Sequence, residues 1–270
     1  MGTHKVARGN ISRRCFIVGT LALSAIILAG GEDLPEYTFY DDFDGPAGSA
    51  PDPAKWTYDL GGGQTNDELE VYTNSRENSY VDGQSNLVIA ATNSGGAYQS
   101  ARLKTLGLFS QIGGHFEARI KINSQRGTWP AFWLLGQDMP TQGWPKCGEI
   151  DIMENFGYTD VFSSSVYTQK SGSATYAFGA SIAGDGNWHV HRCDVDADGI
   201  TFSLDDYEYG HCPSTYCPPA SWVFGPGEPN NGGLFIVLNM AIGGNSSQSP
   251  PPASTKFPAT MLVDYVRAWQ

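Results

Sequence analysis

Basic residues are scarce in this chain. Its 270 residues include 16 Lys and Arg against 28 Asp and Glu, a formal net charge of −12. Nucleic acid and anionic membrane surfaces are recognised through a basic face, so both are poor partners here. A neutral ligand is not excluded. Cysteine is also rare: Cys15, Cys147, Cys193, Cys212 and Cys217. A zinc site would want more Cys or His at ligand spacing. Cys212-Pro-Ser-Thr-Tyr-Cys217 reads instead as a small loop closed by a disulfide, while Cys147 and Cys193 either pair or stay buried as thiols. Long apolar runs are missing, with one exception. Cys15 to Ala29 is uninterrupted, yet shorter than the roughly 20 residues that span a bilayer.

That exception sits behind Ser12-Arg13-Arg14-x-Phe16, which looks like a twin-arginine export signal. Residues 1–31 are therefore expected to be a cleaved leader, with Ala25 as another end for it. A membrane anchor is the competing reading. Residues 32–270 then form a single secreted domain that leaves the membrane after cleavage. Four-cysteine chemistry suits that compartment.

No segment carries a long helical stripe. The chain has 33 Gly and 16 Pro, and 12% of it is aromatic. Short apolar or alternating runs recur: "NLVIAAT", "HFEARIKI", "AFWLLG", "HVHRCDVD", "ITFSLD", "LFIVLNMAI" and "MLVDYVRAW". Turn-rich stretches such as "LGGGQTND" and "GPGEPNNGG" separate them. Many short strands with turn signals between them predict an all-β sandwich or barrel. In "HFEARIKI", Phe116, Ala118, Ile120 and Ile122 share one face, which is the mark of a half-buried antiparallel strand. "SQSPPPAS", Ser247 to Ser254, reads as a surface loop.

Against 16% charged residues overall, "CGEIDIMENFG" stands out. Successive strand residues point to opposite faces, so Glu149 and Asp151 share a face and Glu154 falls on the other. One extra residue repairs the parity. A β-bulge at Ile152-Met153 returns Glu154 to the face of the other two. Glu149 and Glu154 are then roughly 13 Å apart at the backbone, at about 3.3 Å per residue. Two Glu side chains leaning together close most of that gap, towards the roughly 5 Å that a retaining glycosidase needs. One carboxylate attacks the anomeric carbon and the other keeps a proton for the leaving oxygen. Crowding acids pushes their pKa values apart in the way this division of labour requires. A solvated acidic edge fits less well, because Ile150, Ile152 and Met153 between the acids are apolar. A calcium site would want a loop with several oxygen ligands rather than a pleated run.

"GEIDIMEN" resembles the bulged active-site motif, E-x-D-x-x-E, of glycoside hydrolase family 16, in the form typical of bacterial laminarinases. "DDFDGP", "NDELEVYT", "FEARIKI", "WPAFWLLG", "LNMAIGG" and "FPATMLVDYVRAW" resemble segments of the same enzymes in the same order. The resemblance implies a β-jelly roll, two curved antiparallel sheets with a substrate cleft on the concave face. It implies a retaining endo-β-1,3-glucanase acting on laminarin-type β-glucan; a monomer is the default expectation. Glu149 is then the nucleophile, Asp151 its supporting acid and Glu154 the general acid/base. Mixed-linkage glucanase, transglycosylase and galactan-cleaving activities share much of this pattern. A non-catalytic glucan-recognition protein is the rival of another class, but such relatives lose the catalytic glutamates.

Sugars offer apolar C–H faces and a rim of hydroxyls, so their clefts need aromatic platforms with polar neighbours. Trp129, Trp133 and Trp144 precede the acids and are candidates, although a single Trp is more often core. Asn66 matches a family position near the non-reducing subsites, or is a turn residue. Arg102 and Asn239 are further candidates. Tyr167 stands where laminarinases usually carry a His, and Ser246 where relatives have an aromatic residue. The resemblance implies no cofactor for catalysis. It does imply one structural calcium, at positions matching Asp42, Gly83 and Asp264. An ion pair with Arg267 is the other reading of Asp264. His189 and His191 alternate on one strand and are expected to be ordinary strand histidines rather than metal ligands.

Overall fold

A computed structural model describes residues 35–62, 65–157, 160–170, 173–216, 224, 232–245 and 247–270. Its strands in chain order are β1 (Tyr37–Asp41), β2 (Thr57–Asp59), β3 (Val71–Tyr72), β4 (Ser79–Val81), β5 (Leu87–Ser94), β6 (Ala97–Ser100), β7 (Arg102–Lys104), β8 (Gly114–Asn123) and β9 (Thr128–Gly136). After a single helical turn, α1 (Met139–Gln142), follow β10 (Glu149–Glu154), β11 (Val161–Lys170), β12 (Ser173–Ala183), β13 (His189–Val195), β14 (Gly199–Leu204), β15 (Tyr207–Pro213), β16 (Leu234–Ile242) and β17 (Ala259–Trp269). They build two sheets. One runs β15-β14-β13-β8-β17-β5-β6-β3, with β1 added to β17 and β4 to β5; the other runs β12-β11-β10-β9-β16-β7-β2. The β3–β6 contact is parallel, whereas the long central pairs are antiparallel. This is the expected all-β jelly-roll sandwich.

The core lies between the sheets. β8 alternates as its sequence dictates: Phe116, Ala118, Ile120 and Ile122 are buried, against Phe132, Leu134, Ile150, Leu238 and Met240 of the second sheet in one cluster. Each Ile, Leu or Phe withdrawn from water contributes about 1.5–3 kcal/mol. The outer face of β8 is less exposed than alternation alone suggests. Glu117 is buried beneath Tyr265, whose hydroxyl donates to its Oε1 at 3.0 Å. β16 is buried along its whole length, because the sheet's centre is covered on both faces. Asn239 is the one polar residue in that strand.

Each apolar run named from the sequence falls on a strand to within one residue. β11 and β12 were not among them. "VFSSSVYTQK" is Ser-rich, so its period-2 signal is faint in hydrophobicity even though it pairs antiparallel with β10. The "SQSPPPAS" segment is a loop as expected, and it packs closely on the turn between β8 and β9. A Cβ on Gly127 (φ +81°) would lie 2.6 Å from Pro251 Cα. Cys147 and Cys193 do not pair with each other: Cys193 sits in the main core, and Cys147 in a separate cluster with Leu135, Phe235 and Val237. Cys212 is buried. Its expected partner Cys217, the leader with Cys15, and Ser246 lie outside the described residues.

Candidate active site

The three acids lie on β10, and the register of its neighbours fixes where they point. Against β9, Glu149 pairs with Leu135 and Asp151 with Trp133; the register then slips, and Glu154 pairs with Ala131. Against β11, Glu149 faces Tyr167, Asp151 faces Ser165 and Glu154 faces Ser163. The slip is the bulge expected at Ile152-Met153. Both bulge residues enter the core, at 1% and 0% exposure. Without the extra residue Glu154 would be driven into that apolar layer, and an unpaired buried carboxylate is far costlier than a kinked ladder.

Partners for the acids come from the adjoining strands. The Trp129 indole Nε1 donates to Glu154 Oε1 at 2.9 Å. Ser165 also hydrogen-bonds Glu154, and the Trp144 indole hydrogen-bonds Glu149. Trp144 is 52% exposed, and its ring centroid is 6.1 Å from that of Tyr167. Trp133 Nε1 donates to Asn239 Oδ1 at 2.7 Å, and the Arg102 guanidinium lies 4.6 Å over the Trp133 ring. Arg102 is held in turn by Asp59, Nε to Oδ2 at 3.0 Å. Trp129, Trp133, Trp144, Tyr167, Arg102 and Asn239 are thus gathered around the acids. Sequence reasoning missed Asp59 and Ser165. Asp59 lies on a three-residue strand, and its value comes only from pairing with β7.

Burial dominates the electrostatics. It raises Glu149 to about 7, against the pull of the Arg102 charge and the Trp144 hydrogen bond. Burial raises Glu154 to about 8, opposed by Trp129 and Ser165 and reinforced by the charge of Glu149. Asp151 is driven well above the usual carboxylate range by burial and then by both glutamates. Three carboxyls therefore share protons near neutral pH. One can be ionised while its neighbours stay protonated, so the site can both attack and protonate.

Comparison with known proteins agrees with this geometry. The model of the glycosyl hydrolases family 16 matches residues 65–220, spanning every acid and most of the surrounding side chains. The chain belongs to glycosyl hydrolase family 16. This family-16 protein is a glycoside hydrolase. It is 37% identical to a beta-glucanase of Rhodothermus marinus over 87% of this chain and 85% of that one. The solved laminarinase of Rhodothermus marinus superposes with a TM-score of 0.74 at 35% identity, over 88% of this chain and 98% of that one. An endo-1,3-beta-glucanase from Streptomyces sioyaensis gives a TM-score of 0.76 at 28% identity, over 89% and 98%.

Other positions singled out from the hydrolase sequence fall away from the acids. Asn66 is an exposed turn residue with φ 67°, and its carbonyl accepts the Asn245 amide at 2.8 Å. Its carbonyl lies close to Trp129: a Cβ on Gly244 would sit 3.1 Å from Asn66 O and 3.3 Å from the Trp129 ring. Of the positions matched to a calcium, Asp42 accepts the Tyr40 hydroxyl at 3.0 Å, and Gly83 turns with φ +78°. Asp264 is paired with Arg119 at 2.8 Å, and that guanidinium would compete with a cation there. The ion pair expected as the alternative is thus present with a different arginine. Arg267 instead lies over the rings of Tyr265, Tyr37 and Tyr40. His189 lies between Asp205 and Asp185, at 2.6 and 3.0 Å. His191 is buried against Phe162, and no cluster suited to a metal occurs among the described residues.

Proposed function

We propose that this hydrolase cleaves internal β-1,3 bonds of a laminarin-type glucan, outside the cell, with retention of configuration. The observation that carries the reading is the bulge, which brings Glu154 onto the cleft face with Glu149 and Asp151. Ionised Glu149 attacks the anomeric carbon as Glu154 gives its proton to the departing glycosidic oxygen. The bond from carbon to that oxygen breaks, and an ester to Glu149 forms. Glu154, now a carboxylate, takes a proton from water. The hydroxide attacks the same carbon and frees Glu149. Asp151, on the same face between the two, is driven well above the usual carboxylate range by burial and by both glutamates, and serves as the supporting acid. Trp144 and Trp133 offer ring faces to the sugars. The β-1,3 preference rests on the relatives named for that bond. Export by the twin-arginine route and a monomeric state belong to the same reading.

The test is reducing-sugar release from laminarin, barley β-glucan and agarose, with Glu149→Gln as control, plus proton NMR of the first anomer formed. Laminarin should be hydrolysed most rapidly to the β-anomer, with activity lost in the variant. Faster release from barley glucan would assign the mixed-linkage activity instead. Binding to laminarin without hydrolysis of any substrate would leave a recognition protein.

A further inference from the structure

The residues just before β3 run alongside the far end of β16, where β7 has ended. The Leu69 amide donates to Ile242 O at 2.9 Å. The matching Ile242 amide does not find a backbone carbonyl. It donates to the Glu70 carboxyl, to Oε2 at 2.6 Å. Glu70 is 1% exposed. A buried amide without an acceptor would be costly, so this side chain closes a gap in the ladder. Glu68 lies against the same carboxyl, and burial together with Glu68 raises Glu70 to about 8. Glu70 is then neutral at pH 7, and its Oε1 is buried without a hydrogen-bond partner.

A chain of hydrogen bonds leaves this point towards the acids. The Tyr72 hydroxyl lies 3.4 Å from Glu68 Oε2 and accepts from Asn239 Nδ2 at 2.9 Å. Asn239 Oδ1 accepts from the Trp133 indole. Arg102, which faces Glu149, rests on that same ring. The catalytic steps use neither Glu70 nor Tyr72. We propose that Glu70 is a positioning residue, which fixes β3 on β16 and through Tyr72 and Asn239 sets the angle of the Trp133 platform. The inference rests on the proposed glucanase reading only for its assay.

The experiment compares Glu70→Ala, Glu70→Gln and Tyr72→Phe with wild type on laminarin, at temperatures where all are folded by circular dichroism. The loss of one buried hydrogen-bonded link predicts about a fivefold to tenfold rise in KM, with kcat within about twofold, in Glu70→Ala and Tyr72→Phe. Glu70→Gln retains an acceptor for Ile242 and should restore the wild-type KM. A folded Glu70→Ala with wild-type KM overturns the proposal, as does a Glu70→Gln variant no better than Ala. Should Glu70→Ala not fold, Tyr72→Phe alone decides, and an unchanged KM in it refutes the link. Inactive wild type would instead count against the glucanase reading, and the same comparison would then use the laminarin dissociation constant.

Discussion

The Trp129 indole and Glu154 form a 2.9 Å hydrogen bond at the point where the bulge returns the acid to the cleft. This bond favours the ionised carboxylate and so opposes the burial that raises Glu154 to about 8. Trp129→Phe keeps the ring and removes the donor. Glu154 should then hold its proton to higher pH, moving the basic limb of the kcat/KM profile upward. The deacylation step needs Glu154 as a base, so kcat at pH 7 should fall by about tenfold, one hydrogen bond to a charged group. An unmoved basic limb would separate Glu154 from that limb.

Trp144 has two roles that substitution can separate. Its exposed ring offers a stacking face, and its indole hydrogen-bonds Glu149, helping to lower a carboxyl that burial raises to about 7. Trp144→Phe should leave KM nearly unchanged and move the acidic limb to higher pH. Trp144→Ala should do both, raising KM by about tenfold for the loss of an aromatic contact of about 1–1.5 kcal/mol. Equal KM values in the two variants would remove the stacking role.

The Arg102 charge lowers Glu149, and Asp59 holds that guanidinium in place. Arg102→Met should raise the pKa of Glu149 and shift the acidic limb upward. Asp59→Asn leaves the cation in place but frees it to move, so its shift should have the same sign and be smaller. Activity below pH 7 should fall by about tenfold in the first, since fewer molecules carry the ionised nucleophile. A larger effect from Asp59→Asn would mean that Asp59 acts directly.

The site acids should cost stability as pH rises. Glu149, Asp151 and Glu154 are all raised in the folded protein relative to an unfolded chain, in which Glu titrates near 4.3. The folded state thus binds more protons between about pH 4 and pH 8, and stability falls as pH climbs through that window. Glu154→Gln cannot ionise. Its Tm should exceed that of wild type at pH 8 by several degrees, and the two should converge near pH 4. Thermal melts at both pH values check the sign. A variant less stable at pH 8 would show that the ionised carboxylate is well solvated after all.

Much of this was legible because strand periodicity is local. The parity conflict of Glu149, Asp151 and Glu154 against the apolar Ile150, Ile152 and Met153 had one economical solution, and the bulge is that solution. Phe116 to Ile122 on β8 identified their buried face in the same way. The signal failed where polarity masks it. The cleft face of β11 is Ser163, Ser165 and Tyr167, which reads as loop although Ser165 holds Glu154.

Local residue pattern carried the all-β class, the acids, their common face and the family they belong to. These depend on neighbours a few positions apart, or on motifs in order along the chain. Tertiary structure alone decided the partners. Asp59 reaches Arg102 because β2 lies on β7, Asp264 meets Arg119 rather than Arg267, and Glu70 caps an amide on β16. Each of these contacts joins residues far apart in the chain, so its geometry is set by strand order and register, which residue spacing does not encode.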